Sequence, residues 1–156
     1  MPPSSSEREC LRDTFVSQNG WFGAKTTALQ PDASFRRYFR LERAGVSAML
    51  MDAPPMREQI TPFITIAHHL NELGLVAPEI YHHDKNNGFI LMEDFGDNTF
   101  TQLLNAGTNE TNLYRSAVDV LIRLHGNPAA IQINVPPYDR QTMIDESLLI
   151  PDWYYP

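Results

Sequence analysis

Apolar positions along the chain follow two different periods. Up to about Met92 they alternate with polar residues in short runs, apart from two stretches with helical spacing; beyond Asp97 they recur every three or four residues. Period two marks half-buried strands, and a spacing of three to four marks helix faces. The polar residues 1–6 read as a loose tail. Ser5 or Ser6 is predicted to cap a helix to about Gln18, with Cys10, Leu11, Phe15 and Val16 at helical spacing and Asn19-Gly20 as the stop. Three strands follow, Thr26–Leu29, Phe35–Leu41 and Ser47–Met51, joined by residues 30–34 and 43–45. In the second, Arg37, Phe39 and Leu41 share one face and Arg36, Tyr38 and Arg40 the other, as in an antiparallel meander.

Asp52–Pro55 stops the sheet. A helix is predicted from Thr61, with Pro62 in its first turn, an apolar stripe of Ile60, Phe63, Ile64, Ala67, Leu70 and Leu73, and Gly74 at its end. Pro78–His83 and Phe89–Met92 read as paired strands around the turn 84–88. Helices are then predicted over Thr99–Asn105, Glu110–His125 and Asp139–Leu149. The second of these shows Leu113, Ala117, Val120, Leu121 and Leu124 on one face. An irregular stretch spans 128–137, and the aromatic-rich Pro151–Pro156 comes last. The expected fold is α+β: a five-stranded antiparallel sheet with one helix inserted after strand three, followed by the first helices of a second, helical region. That region opens without a closing cap or polar tail, so it is expected to continue past Pro156.

Composition narrows the function classes. Hydrophobic residues at 42% and charged residues at 20% are ordinary globular usage, so a core can form. The twelve prolines lie between apolar runs and mark loop boundaries. A net charge of -7 disfavours nucleic acid, whose binding rests on a basic face, and equally a polybasic membrane contact. One cysteine, Cys10, leaves no intrachain disulfide and fits a reducing compartment. No run approaches the ~20 apolar residues of a membrane helix, and residues 1–9 lack the apolar stretch of a signal peptide. A cytoplasmic protein is expected.

Simple chemical motifs are scarce. His68-His69 and His82-His83 are adjacent pairs, and neighbours on a helix or strand point to different sides. With no cysteine cluster and no His-Glu-x-x-His, a zinc site is not expected. His125 ends a helix, where it complements the dipole. There is no Gly-x-Ser-x-Gly elbow, and the scattered carboxylates do not single out a glycosidase pair.

Several strings carry more information together than singly. They are Asp32-Ala33-Ser34-Phe35-Arg36-Arg37-Tyr38-Phe39-Arg40, Met51-Asp52-Ala53-Pro54-Pro55, Gly74-Leu75-Val76-Ala77-Pro78, Met92-Glu93-Asp94-Phe95-Gly96-Asp97, Leu124-His125 and Asp152-Trp153-Tyr154. In this order, through nearly the whole chain, they resemble the aminoglycoside phosphotransferase family of kinase-like fold. Its branch of anomeric kinases for N-acetylmuramate and N-acetylglucosamine is the nearest resemblance. The resemblance implies a nucleotide-binding N-lobe over 1–92, a hinge over 93–98 and the start of a helical C-lobe over 99–156. It implies ATP and Mg²⁺ as cofactors, a small (amino)sugar as acceptor, and the rest of the C-lobe as the main packing partner.

The same resemblance suggests the site. Ser34, Phe35 and Arg36 would lie at the nucleotide phosphates, although from the residues alone their glycine-free loop is an ordinary hairpin turn. Glu93 and Phe95 would meet the adenine edge through backbone atoms, Met92 would pack near the base, and Asp97 would reach ribose. Turn formation and helix capping account for Asp94 and Asp97 equally well. Asp152, Trp153 and Tyr154 would form a sugar platform, or pack their helix onto the rest of its lobe. Kinases place a Lys on strand three and pair it to a Glu on the next helix. Ser47–Met51 has no Lys, the position near Phe63 has no Glu, and Glu58 and Glu72 lie outside the expected slot; Arg36 or Arg37 could take the Lys's place. No His-x-Asp-x-x-x-x-Asn string follows His125, so no catalytic residue and no metal ligand is assigned, and the chain alone is expected to be inactive. The alternative is a non-catalytic, pseudokinase-like nucleotide-binding or scaffolding module.

Overall fold

The computed structural model describes residues 4–30 and 34–154, with the side chains of 152–154 outside that description. Helix α1 spans Ser5–Val16. Its cap is Ser4 rather than Ser5 or Ser6. The Ser4 hydroxyl accepts the Glu7 N–H at 3.3 Å, and the Glu7 carboxylate accepts the Ser4 N–H at 2.7 Å. Ser-x-x-Glu is a capping box, and it satisfies two amides at once. The helix widens into a single π turn, Ser17–Trp21, where Gly20 at φ 87° turns the chain away.

Strands β1 (Lys25–Ala28), β2 (Arg37–Arg43) and β3 (Val46–Asp52) form the meander; α2 (Thr61–Glu72) follows, then β4 (Ile80–Asp84) and β5 (Phe89–Met92). The sheet order is β1-β2-β3-β5-β4, with every neighbouring pair antiparallel. The five-stranded antiparallel sheet with one inserted helix is therefore the observed fold. β2 begins two residues later than the sequence suggests, which leaves Phe35 outside the strand and exposed.

The sheet has two covered faces. On one, Phe15 and Val16 of α1 pack against Leu41, Ala48, Leu50, Phe89 and Leu91. On the other, Met51, Ile90 and Met92 meet Ile60, just before α2, and Ile64 within it, with Tyr38 and Met49 at the margin. The alternation read in β2 holds: Phe39 and Leu41 lie on the α1 side and Tyr38 on the α2 side. The expected face of α1 does not hold in full. Cys10 and Leu11 are exposed, and the sheet-facing positions are Arg8, Arg12, Phe15 and Val16. Two arginines lie over aromatic rings of the sheet, Arg8 over Phe89 and Arg12 over Phe39, with their guanidinium carbons 4.7 and 4.6 Å from the ring centres. Their aliphatic arms cover apolar surface that a count of hydrophobic residues misses.

The helical half contains α3 (Phe100–Asn105), α4 (Glu110–His125), a 3-10 turn (Pro128–Ile131) and α5 (Arg140–Tyr154). α5 begins after Asp139, whose carboxylate accepts the Thr142 N–H at 3.0 Å. It continues through Pro151, past the end expected at Leu149. A proline there forfeits one backbone hydrogen bond without ending the helix. Among the described residues none of α3, α4 or α5 is buried. The predicted α4 stripe is only half-buried at Leu113, Ala117 and Leu124, and exposed at Val120 and Leu121. Among the described residues no helix is long and apolar enough to cross a membrane.

Candidate functional site

The site is built where β5 runs out of the sheet. Directly opposed residues on antiparallel strands share a face, so Arg40, Met49 and Met92 form one row across β2, β3 and β5. Tyr38, Met51 and Ile90 form the next row. Both rows lie on the α2 side. From Met92 the chain enters the strip Glu93–Asp97. Glu93 is anchored by its N–H on the Glu79 carbonyl at 2.9 Å, and its carboxylate accepts the Glu79 N–H at 3.2 Å.

Arg40 fixes the strip in place. Its Nε and Nη2 donate to the two oxygens of Asp94 at 2.7 and 3.1 Å. Its Nη1 and Nη2 donate to those of Asp97 at 2.8 and 2.9 Å. Paired forks of this kind fix geometry as well as charge. The Asp94 side chain is only 2% exposed, whereas that of Asp97 is 63% exposed. Burial acts most strongly on Asp94 and opposes its ionisation. Hydrogen bonds from Arg40, the Gly96 amide and Ser47 outweigh it and hold the carboxyl below the usual range. Asp97 is lowered chiefly by its bond to Arg40, and Arg40 is raised by Asp97 and then Asp94.

Of the two roles open to Asp94 and Asp97, turn formation is present. Asp94 accepts the Gly96 N–H at 2.9 Å. The cap of α3 is instead Thr99, which accepts the Gln102 N–H at 3.3 Å. Arg40 itself was not among the residues expected at the site. The signal for it lay in the face pattern of β2, but its partners, 54 and 57 residues away, needed the sheet register. Among the described residues the Glu93 carbonyl and the Phe95 amide make no hydrogen bond, and the Phe95 side chain is exposed. One acceptor and one donor are thus left available beside the apolar row of Met49 and Met92.

The loop before β2 is described only in part, since residues 31–33 lie outside the described residues. The Ser34 hydroxyl accepts the Arg36 N–H at 3.1 Å. Phe35 stacks under Arg57, with 4.5 Å from the guanidinium carbon to the ring centre. Arg36 donates from Nε to Glu58 at 3.2 Å, so a cation just before β2 is paired to a carboxylate just before α2. Met51 on strand three is fully buried in the cluster beneath α2, and the strand carries no Lys. Asp152, Trp153 and Tyr154 fall in the last turn of α5, and their side chains lie outside the described residues. Among the described residues no three His, Cys, Asp or Glu side chains gather as a metal would require. His69 sits instead 3.1 Å from the Ala130 carbonyl, bridging α2 to the helical half.

Comparison with known proteins agrees with this architecture. The chain is 38% identical over 149 residues to an N-acetylmuramate/N-acetylglucosamine kinase of Pseudomonas putida, covering 94% of this chain and 43% of that protein. A protein of the same name from Pseudomonas aeruginosa is 38% identical over 148 residues, covering 93% and 43%. One from Caulobacter vibrioides is 33% identical over 151 residues, covering 80% and 42%. The chain therefore spans less than half the length of these relatives. Residues 25–155 match the family described as the phosphotransferase enzyme family, APH, and the chain belongs to it.

Proposed function

We propose that this chain supplies the nucleotide-binding lobe and hinge of an ATP-dependent phosphotransferase whose acceptor is a hydroxyl of an amino sugar. The observation that carries this reading is the strip Glu93–Asp97, where Arg40 holds a free carbonyl and a free amide beside an apolar floor. One acceptor and one donor two residues apart suit the edge of a purine, and Met49 and Met92 suit its face. In this reading residues 1–92 form the N-lobe, 93–98 the hinge, and 99–156 the start of the C-lobe. The names of the relatives support the choice of acceptor.

Arg36 is the cation for the phosphates. Glu58 engages its Nε, and among the described residues its terminal nitrogens are left for another acceptor. This pair, borrowed from the start of β2 and the approach to α2, does the work that kinases assign to a Lys on strand three and a Glu on the next helix. ATP supplies the γ-phosphoryl group. The described residues do not fit a Mg²⁺ site, because no three His, Cys, Asp or Glu side chains gather among them and the two carboxylates that converge, Asp94 and Asp97, are held by Arg40. Accordingly no catalytic step is assigned to this chain, and it should turn over nothing alone. Ser34 and Asp97 are proposed to border the nucleotide, and Asp152, Trp153 and Tyr154 the acceptor.

Titration of the isotopically labelled chain with ADP tests this. Amide shifts should concentrate at residues 92–97 and 34–36, and Arg36→Gln should weaken binding about tenfold, the loss of one charge-assisted contact. Shifts elsewhere would refute the assignment, as would robust sugar phosphorylation by the 156 residues with ATP and Mg²⁺. The absence of a Lys in favour of Met51 gives one reason to keep a second reading, a non-catalytic pseudokinase-like module. Calorimetry on a longer protein containing this chain separates the two, since a module that only scaffolds shows no heat with ATP.

A further inference from the structure

A second cluster of cations lies on the opposite side of the sheet from the hinge row. Asp52 follows Met51 on β3, and successive strand residues point to opposite faces. Met51 faces α2, so Asp52 faces α1, where it accepts Arg8 Nε at 2.7 Å. Around this pair a cavity of about 340 Å³ opens between the start of α1, the start of β2 and the segment after β3. That volume is within the range of small-molecule sites, ~300–1,000 Å³.

Four arginines line the cavity, Arg8, Arg12, Arg37 and Arg57, against two carboxylates, Glu9 and Asp52. Such an excess runs against a chain of net charge -7. Asp52 is committed to Arg8. Arg12 has only Asp13, a carboxylate 68% exposed to water. Among the described residues Arg37 and Arg57 have no carboxylate partner. Three of the four guanidinium groups lie over rings, Arg8 over Phe89, Arg12 over Phe39 and Arg57 over Phe35. Arg8 uses Nε and Nη2 on Asp52 and the Asn87 carbonyl, and Arg12 its Nε on Asp13, whereas among the described residues the guanidinium N–H donors of Arg57 stay open while a ring covers its face. Arginines fixed in this way have already lost much of the freedom that a solvated arginine gives up on binding. Their planar forks match the oxygens of a phosphate two at a time.

We infer that this cavity is an anion site for a phosphorylated small molecule, gripped by Arg37 and Arg57 with Arg8 and Arg12 behind them. It is separate from the nucleotide site proposed above. The probe is inorganic pyrophosphate, titrated into the labelled chain against sodium chloride of equal ionic strength. Saturable amide shifts are expected at residues 4–12, 37 and 57, which the nucleotide site proposed above does not include, with the hinge amides 92–97 unmoved. The double variant Arg37→Gln/Arg57→Gln should weaken pyrophosphate at least tenfold as read from the amides of residues 4–12, and Arg36→Gln, which alters a residue outside the cavity lining, should leave those shifts in place. Both arginines are exposed, and preserved dispersion of the β3 and β5 amides shows that the fold survives. If the double variant loses that dispersion, the single variants Arg37→Gln and Arg57→Gln replace it, each expected to weaken binding several-fold. The inference is overturned by shifts no larger than those of the salt control, or by binding that survives removal of the arginines. Equal loss in Arg36→Gln also overturns it, by moving the anion to the hinge side of the sheet. ADP binding at the hinge is read separately, so either site can fail alone.

Discussion

Arg40 spends all three guanidinium nitrogens on two carboxylates of a single short strip. Asp94 is almost fully enclosed, so removal of its partner would leave a charge in a poorly solvated place. Arg40→Gln should therefore cost about 3 kcal/mol at pH 7, the order seen when one member of a buried pair is deleted. The sign of the pH dependence follows from the lowered Asp94 carboxyl. A depressed folded-state pKa gives stability that is complete above the unfolded value, about 4, and is lost as pH falls through the lower folded value. The unaltered chain should weaken on acidification below about pH 4, and Arg40→Gln should show a shallower acid limb. Urea unfolding of both proteins at pH 7 and pH 3 checks this; parallel curves would remove Arg40 as the source.

At the scale of elements, the β4–β5 turn shows how a short connection can depend on a distant one. Gly88 has φ 71°, and its carbonyl accepts the Ala53 N–H at 2.8 Å. A Cβ at this position would come 1.9 Å from the Ala53 carbonyl oxygen, which belongs to backbone and has little room to retreat. Gly88→Ala should destabilise by more than about 1 kcal/mol, because both the left-handed conformation and the contact with the end of β3 oppose it. A thermal melt measures it, and an unchanged midpoint would mean that the turn relaxes freely. Helix α1 adds a different lesson about elements. Its stop signal was legible, but its cap reads as Ser5 or Ser6, one or two residues past Ser4, which forms it in the Ser4-x-x-Glu7 box. Its sheet-facing side was not legible, because Arg8 and Arg12 count as polar in any hydrophobic pattern while their arms lie on Phe89 and Phe39.

Across the whole molecule, burial is divided unequally. The sheet half holds every buried residue among those described, and Leu91 is wholly enclosed. Leu121 on α4 is 53% exposed, together with Val118, Val120 and Ile122 around it. Leu91→Ala should cost about 2–5 kcal/mol, as for other buried leucines. Leu121→Ala should stay within about 0.5 kcal/mol in this chain. Denaturant unfolding of the two variants tests the division; a comparable loss at Leu121 would mean that the helical half packs more tightly than its exposure indicates.

The sequence by itself determined the kinds and order of the elements, the two faces of β2, the inserted helix and the family to which the ordered strings point. These rest on spacing within a few residues, which backbone geometry reads directly. Only the tertiary structure decided that Arg40 meets Asp94 and Asp97, that Arg36 meets Glu58, and that Arg8 meets Asp52. The partners are 54, 57, 22 and 44 residues apart. A charged side chain on an alternating strand has a face but no partner until strand register brings one within hydrogen-bonding distance. For that reason the strip Glu93–Asp97 was legible as a string, while the arginine that holds it, and the arginine-lined cavity behind the sheet, were not.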